Sequence, residues 1–125
     1  MISLDYKDKR PLYEQISEKL KDLMAVGGLP ENSQLPSVRS LAIDLSINPN
    51  TIQRAYAELE KQGYIYSIKG KGNFVADTER LQYLKIAELR GRLSSILEEA
   101  FRLGLNDEEI LRLIKNIISE RGAIA

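Results

Sequence analysis

Residues 48–57 read NPNTIQRAYA and mark the start of a helix. Asn48 is a preferred N-cap residue, and Pro49 suits the first helical position because its missing N–H costs nothing there. An apolar stripe at helical spacing follows, formed by Ile52, Ala55, Tyr56 and Leu59. The pattern predicts a helix that packs this stripe against a core and ends near Gly63.

The opposite side of this helix carries hydrogen-bonding side chains on its first turns, namely Thr51, Gln53 and Arg54. Polar side chains on an outward face are most often simply solvated. The rest of the chain therefore has to decide whether these three have a function.

Composition excludes several kinds of chemistry. The 125 residues include neither cysteine nor histidine, which excludes disulfides, thiolate nucleophiles, histidine bases and the usual zinc ligands. The carboxylates show no spacing typical of an acid/base pair, so we expect no enzyme activity, no metal and no cofactor. The N-terminus has no apolar signal segment, and no apolar run of about 18 residues could span a bilayer. A cytoplasmic protein without membrane contact is expected.

Charge gives no simple indication of a partner. The 18 basic and 18 acidic residues cancel, and residues 1–76 carry 10 basic against 9 acidic side chains. A nucleic-acid partner would therefore depend on where individual residues lie rather than on bulk charge.

The chain before residue 48 predicts two further helices. The first covers about residues 11–26, and after a proline-containing loop Ser37 is placed to cap a second helix of about nine residues. Only Ser46, Ile47 and Asn48 separate it from the helix that begins at Pro49, with Ile47 expected to insert into the core. Two helices joined so tightly form a helix-turn-helix pattern.

Beyond Gly63 the pattern changes to short strands. Residues 64–68 and 73–75 are rich in strand-forming residues and flank the segment Lys69–Gly72, which predicts a small hairpin, or wing. A phosphate-binding loop is an alternative for Lys-Gly-Lys-Gly, but such loops need more glycines and lead into a helix.

Two aromatic residues are expected in the core. Tyr56 of the helix that begins at Pro49 and Phe74 of the hairpin are each in phase with apolar neighbours.

Residues 78–125 predict a tail of two amphipathic helices. Gly104 separates the helices, and Asn106 with the acidic residues after it resembles a capping box. The aliphatic surface exceeds what this short tail can bury alone, so a second copy of the chain is the expected partner. The predicted dimerisation residues are Leu89, Leu93, Ile96, Leu97, Ala100, Ile110, Ile114 and Ile117.

Three motifs in a fixed order resemble those of the GntR family of bacterial transcription regulators. They are LPSVR at residues 35–39, NPNTIQRAYAELEKQG at residues 48–63 and the Gly-Lys-Gly of the wing. The short two-helix tail is similar to that of the YtrA-like subfamily. The resemblance implies a mainly α fold with a small β-hairpin wing (α+β): an arm at residues 1–9, a winged helix-turn-helix at residues 10–77 and a dimerisation tail at residues 78–125.

The resemblance also implies a function. Members of the family are homodimers that bind palindromic double-stranded DNA operators, repress transcription and respond to a signal. The tail is too short for the larger ligand-binding domain of other members, although a small-molecule effector of unknown type stays possible. Members with this tail often lie beside genes for ABC transporters. The alternative is a winged-helix module that binds another protein instead of DNA, which near-zero net charge slightly favours.

The resemblance and the physics of DNA recognition together assign roles to individual residues. Gln53 is expected to read a base, since its amide pairs with adenine, and Arg54 is expected to contact a phosphate. Thr51 lies beside Gln53 where a recognition helix keeps its base-reading residues, and Asn48 and Asn50 at the helix start are suited to the phosphate backbone.

Further contacts are expected outside that helix. Ser37 and Arg39 of the LPSVR motif would contact the DNA, and the wing would approach it through Lys69, Gly70, Lys71 and Gly72. The alternatives are a solvated arginine and lysines that merely protect an exposed hairpin edge.

Overall fold

The computed structural model of the protein describes residues 2–124, with side chains for residues 2–122. Its elements in chain order are α1 (Leu12–Ala25), α2 (Val38–Leu45), α3 (Pro49–Gln62), β1 (Ile65–Ile68), β2 (Gly72–Val75), α4 (Thr78–Arg102) and α5 (Asp107–Ile124). These bounds confirm the predicted five helices and one hairpin. The chain divides into two compact units, one ending at Lys85 and the other beginning at Ile86.

The core of the first unit forms around α3. Helices α1 and α2 both pack on α3, and β1 contacts its end. The predicted apolar stripe is buried throughout, at Ile52, Ala55, Tyr56 and Leu59. Ile16 and Leu20 of α1 complete the fully buried centre. The helical period of the sequence thus correctly determined which side of α3 faces inward.

The helix-turn-helix is fixed by side-chain caps. The Ser37 hydroxyl accepts the N–H of Ser40 at 3.0 Å, and the Asn48 amide oxygen accepts the N–H of Asn50 at 2.9 Å. Both bonds satisfy N–H groups that a helix start leaves unpaired. Between the helices Ser46 adopts a left-handed conformation, with φ 54°, and Ile47 packs against the core as predicted.

The wing is larger than the predicted hairpin. Strands β1 and β2 pair in antiparallel register, with Ile65 opposite Val75 and Ile68 opposite Gly72. The segment 32–35 runs along the other edge of β2, where the Leu35 N–H donates to the Asn73 carbonyl at 2.9 Å. This segment protects the edge of β2 and joins the wing to the chain that leads into α2.

The prediction that Phe74 belongs to the core was wrong. Phe74 is half-buried, and its ring stacks on Tyr66, directly opposite in the hairpin, with 5.7 Å between ring centroids. Side chains alternate between the two faces of a strand, and the buried position falls to the neighbouring Val75. A cross-strand aromatic pair therefore stabilises the wing itself.

The first unit extends beyond the expected boundary at residue 77. Leu81 of α4 is buried in the core, and Leu84 packs against it. At the other end, Ile2 and Leu4 of the expected arm also pack against this core. The first turns of α4 are thus structurally part of the winged helix-turn-helix.

The second unit contains the remainder of α4 and α5. The capping box at α5 is complete, because the Asn106 side chain accepts the Glu109 N–H at 2.9 Å and Glu109 accepts the Asn106 N–H at 3.2 Å. Gly104 has φ 94° in the turn between the helices. Among residues 2–124, no helix combines the length and the apolar character needed to cross a membrane.

Candidate nucleic-acid interface

The first turns of α3 present an exposed polar surface. Gln53 and Arg54 are exposed, as are Asn48 and Asn50 at the helix start, while Thr51 is half-buried. The buried stripe on the opposite side fixes this orientation. The arrangement offers amide and guanidinium groups that can donate hydrogen bonds to a partner, together with the positive end of the helix dipole.

The start of α2 is tied to α3 by a buried phenol. The Tyr56 hydroxyl donates to the Pro36 carbonyl at 2.7 Å, immediately before Ser37. Burial raises the pKa of Tyr56 to about 12, so the phenol stays protonated and remains a donor. The exposed side chains of Ser37 and Arg39 are thereby held in a fixed relation to α3. Because Ser37 already caps α2, only its remaining hydrogen-bonding capacity is available to a partner.

The wing tip exposes its two lysines on a short turn. Lys69, Gly70 and Lys71 connect the last paired residues, and the Lys71 N–H donates to the Ile68 carbonyl at 2.9 Å. Gly70 has φ 77°, a conformation that favours glycine. The turn therefore holds the backbone between the two lysines in a compact form that another molecule can approach closely.

Gln34 is a site residue that sequence reasoning missed. Its amide nitrogen donates to the Lys71 carbonyl at 2.7 Å. A Cβ on Gly72 would lie 2.8 Å from that same nitrogen and would displace the Gln34 amide, and the φ of 125° at this position also favours glycine. No local pattern indicates the bond, because it joins a loop residue to a hairpin far along the chain.

A second missed feature is a contact between α1 and α3. The guanidinium carbon of Arg54 lies 3.9 Å from the centre of the Tyr13 ring. The contact shows that the outward face of α3 is supported by α1 at this point.

The acidic side chains of α3 lie further along the helix and are engaged within the protein. Glu58 accepts a hydrogen bond from Gln62 at 2.9 Å, and Glu60 accepts one from the Ser67 hydroxyl at 2.7 Å. An anionic ligand would therefore meet the first two turns of α3 more favourably than its end. Within residues 2–124, no group of three or more acidic side chains is arranged to hold a metal ion.

The predicted interface residues thus belong to three segments that hydrogen bonds connect. Gln34 links the wing tip to the segment before α2, and Pro36 links that segment to α3. The structure places every one of the predicted residues in the first unit with an exposed side chain or backbone, except for half-buried Thr51. Donors and cations predominate among them, which suits a polyanionic partner.

Comparison with known proteins gives consistent results. Residues 12–75 match the family described as "Bacterial regulatory proteins, gntR family". The HTH-type transcriptional repressor YtrA of Bacillus subtilis (strain 168) is 32% identical over 122 residues, covering 96% of this chain and 94% of that protein. The crystal structure of a transcriptional regulator from Oenococcus oeni is similar, with a TM-score of 0.76 and 34% identity, covering 94% of this chain and 99% of that one.

The chain is also similar to a DNA-binding domain whose structure was solved in complex with DNA. The crystal structure of AraR(DBD) in complex with operator ORE1 has a TM-score of 0.53 and 28% identity, covering 61% of this chain and 93% of that one.

Proposed function

This chain belongs to the gntR family of bacterial regulatory proteins, and from that membership we propose that it is a transcription repressor that binds an inverted-repeat DNA operator as a homodimer. It acts as a regulator and not as an enzyme. The similarity to the repressor YtrA supports repression, and the similarity to the AraR domain with its operator supports DNA as the partner.

The observation that carries this proposal is the orientation of α3. Its apolar stripe is buried, and the exposed Gln53 makes no hydrogen bond to any part of the chain that the structure describes. A recognition helix enters the major groove with its N-terminal residues against base edges. We therefore assign base reading to Gln53, whose amide can both donate to and accept from adenine.

Phosphate contacts would position the helix in the groove. Exposed cations both precede and follow α3 along the chain. Arg39 lies on α2, before α3, and the lysines of the wing tip come after it. Asn48, Asn50 and Thr51 lie at the positive end of the α3 dipole. Because residues 1–76 carry a net charge of only +1, from 10 basic and 9 acidic residues, binding should depend on these few placed groups rather than on a general basic surface.

The second unit supports assembly as a dimer. Leu89, Leu93 and Ile96 of α4 are 48%, 52% and 60% exposed, and Ile117 of α5 is 57% exposed. Such a concentration of exposed aliphatic side chains marks an interaction surface, and a two-fold dimer would match an inverted-repeat operator.

The proposed dimer surface is narrower than the sequence suggested. Ile110 is only 6% exposed in the single chain, and Leu97, Ala100 and Ile114 are half-buried. We therefore assign Ile110 to the interior of the tail and the more exposed side chains to the dimer contact.

The regulated genes are a separate part of the proposal. The resemblance of the chain to the YtrA-like subfamily supports control of a transporter operon, and it supports a location in the bacterial cytoplasm. A small-molecule effector is not required by this proposal. Binding sites located upstream of transporter genes would agree with this assignment.

Selection of bound duplexes from a random DNA pool tests the proposal. At moderate salt, the intact chain should enrich an inverted repeat with a fixed spacing between its halves. Failure to enrich any motif, together with a salt-insensitive complex with another protein, would contradict DNA binding and favour the protein-interaction alternative.

A further inference from the structure

Arg54 is exposed on α3, but its guanidinium is not free to sample all orientations. It lies over the ring of Tyr13, with 3.9 Å between the guanidinium carbon and the ring centre. Tyr13 is on α1, a different helix, and packs against the core on its inner side. The cation thus lies over an aromatic ring that itself packs against the core.

The contact leaves the hydrogen-bonding capacity of Arg54 unused. A guanidinium donates hydrogen bonds through five N–H groups, and a cation–π contact satisfies none of them with a hydrogen-bond acceptor oxygen. The guanidinium makes no hydrogen bond or ion pair with any residue in the range 2–124, and the nearby carboxylate of Glu58 is bonded to Gln62. The edges of the fork therefore remain available to an anion.

A buried hydroxyl of α1 lies between the two helices near this contact. Ser17 is 3% exposed, and its hydroxyl lies 2.9 Å from the Tyr13 carbonyl and 3.4 Å from the Ala55 carbonyl. Ala55 directly follows Arg54 and is fully buried. The Ser17 hydroxyl, which has one proton to share, therefore lies against both the backbone that carries the ring and the backbone that carries the guanidinium.

We propose that Tyr13 is a positioning residue for DNA binding, which orients the Arg54 guanidinium so that its edge meets a backbone phosphate beside the recognition helix. The inference rests on the proposed function. A long, flexible arginine loses side-chain freedom when it binds a phosphate. With the ring in place, part of that ordering has already occurred in the free protein, and affinity rises accordingly.

A double-mutant cycle on the intact chain tests this role. The variants are Tyr13→Leu, Arg54→Ala and the two combined, and the probe is the duplex enriched from the random pool. A cation–π contact at an exposed site contributes roughly 0.5 to 1 kcal/mol, which corresponds to a change of about two- to fivefold in Kd. Tyr13→Leu should weaken binding by that factor when Arg54 is present and leave Kd nearly unchanged when position 54 is alanine.

One further variant and two further measurements separate an effect on orientation from damage to the structure. Tyr13→Phe keeps the aromatic face and should bind like the wild type. Arg54→Ala should reduce the slope of log K against log salt by the amount expected for the loss of about one phosphate contact. Tyr13→Leu removes no charge and should preserve most of that slope. Thermal unfolding of each variant shows whether Tyr13→Leu has damaged the fold.

Equal losses for Tyr13→Leu in both backgrounds would overturn the inference while leaving the proposed function intact, because the effect would then not pass through Arg54. An Arg54→Ala variant with unchanged affinity and salt slope would overturn it as well. If the wild-type chain bound no duplex at all, the proposed function itself would fail, and the inference with it.

Discussion

Tyr56 shows how a single residue can serve both the fold and the proposed site. Its ring lies in the core, only 2% exposed, while its hydroxyl reaches the Pro36 carbonyl beside the LPSVR motif. The apolar spacing of α3 was enough to predict that Tyr56 faces inward. The destination of the hydroxyl was not predictable, because it depends on where the loop before α2 passes over α3.

The ionisation of Tyr56 gives a prediction about stability at high pH. The pKa rises from an ordinary value of 10.0 to about 12 in the folded chain, so the unfolded chain loses this proton first. The contribution of the protonated Tyr56 phenol to the free energy of unfolding is therefore fully present below pH 10 and is lost as the pH rises towards about 12. The difference in unfolding free energy between wild type and Tyr56→Phe, measured by urea denaturation, should shrink over this range. A difference that stayed constant from pH 9 to pH 11.5 would contradict the assigned environment.

At the scale of elements, the wing depends on a contact that lies outside the hairpin. The strands and the Lys-Gly-Lys turn were predictable, because strand-forming residues and glycines define them locally. The pairing of segment 32–35 with β2 and the outward stacking of Phe74 on Tyr66 were not, since both depend on strand register in the folded unit.

Gln34→Ala tests whether this support matters for binding. Loss of the bond to the Lys71 carbonyl should let the wing tip move and weaken operator affinity by about two- to fivefold, the value of a modest hydrogen bond. The salt slope should not change, since no cation is removed. Gln82→Ala, at an exposed position on α4, is the matched control and should bind normally. Equal affinities for the two variants would show that the wing needs no such support.

The start of α5 allows a similar test of stability. Asn106→Ala removes a cap from the reciprocal pair with Glu109 and should destabilise the second unit by about 1 kcal/mol. Asn116→Ala, in the middle of the same helix and exposed, should not destabilise it. Thermal unfolding followed by circular dichroism compares the two, and similar midpoints would mean that the capping box contributes little.

At the scale of the whole molecule, α4 belongs to both units. Its first turns supply Leu81 to the core of the winged helix-turn-helix, and the rest continues into the tail. The sequence located the change from wing to helix correctly, but the amphipathic pattern of α4 runs on without a break. Nothing in that pattern could show that the compact unit ends only at Lys85, or that Ile110 would be buried within a single chain.

Leu93→Asp tests the proposed dimer surface in the full-length chain. Leu93 is 52% exposed in the single chain and would be covered in the proposed dimer. A carboxylate at this position would then be buried on association, which should weaken the dimer at least about tenfold. Ser95→Asp adds the same charge about 200° round the helix and is the control. Sedimentation should show a shift to monomer for Leu93→Asp alone.

Removal of residues 86–125, which spares Leu81, should likewise leave a folded monomer. A stable dimer in both cases would exclude the tail as the main dimer contact.

The most direct test of base reading by α3 is the affinity of wild type and Gln53→Ala for the selected duplex and its single-base variants. Gln53→Ala should cost about 1 to 3 kcal/mol and remove the preference at one position of each half-site. Lys71→Ala, in contrast, should weaken all these duplexes alike and lower the salt slope. If Gln53→Ala instead weakened every duplex equally, α3 would not read bases through this residue, and the central claim would be contradicted.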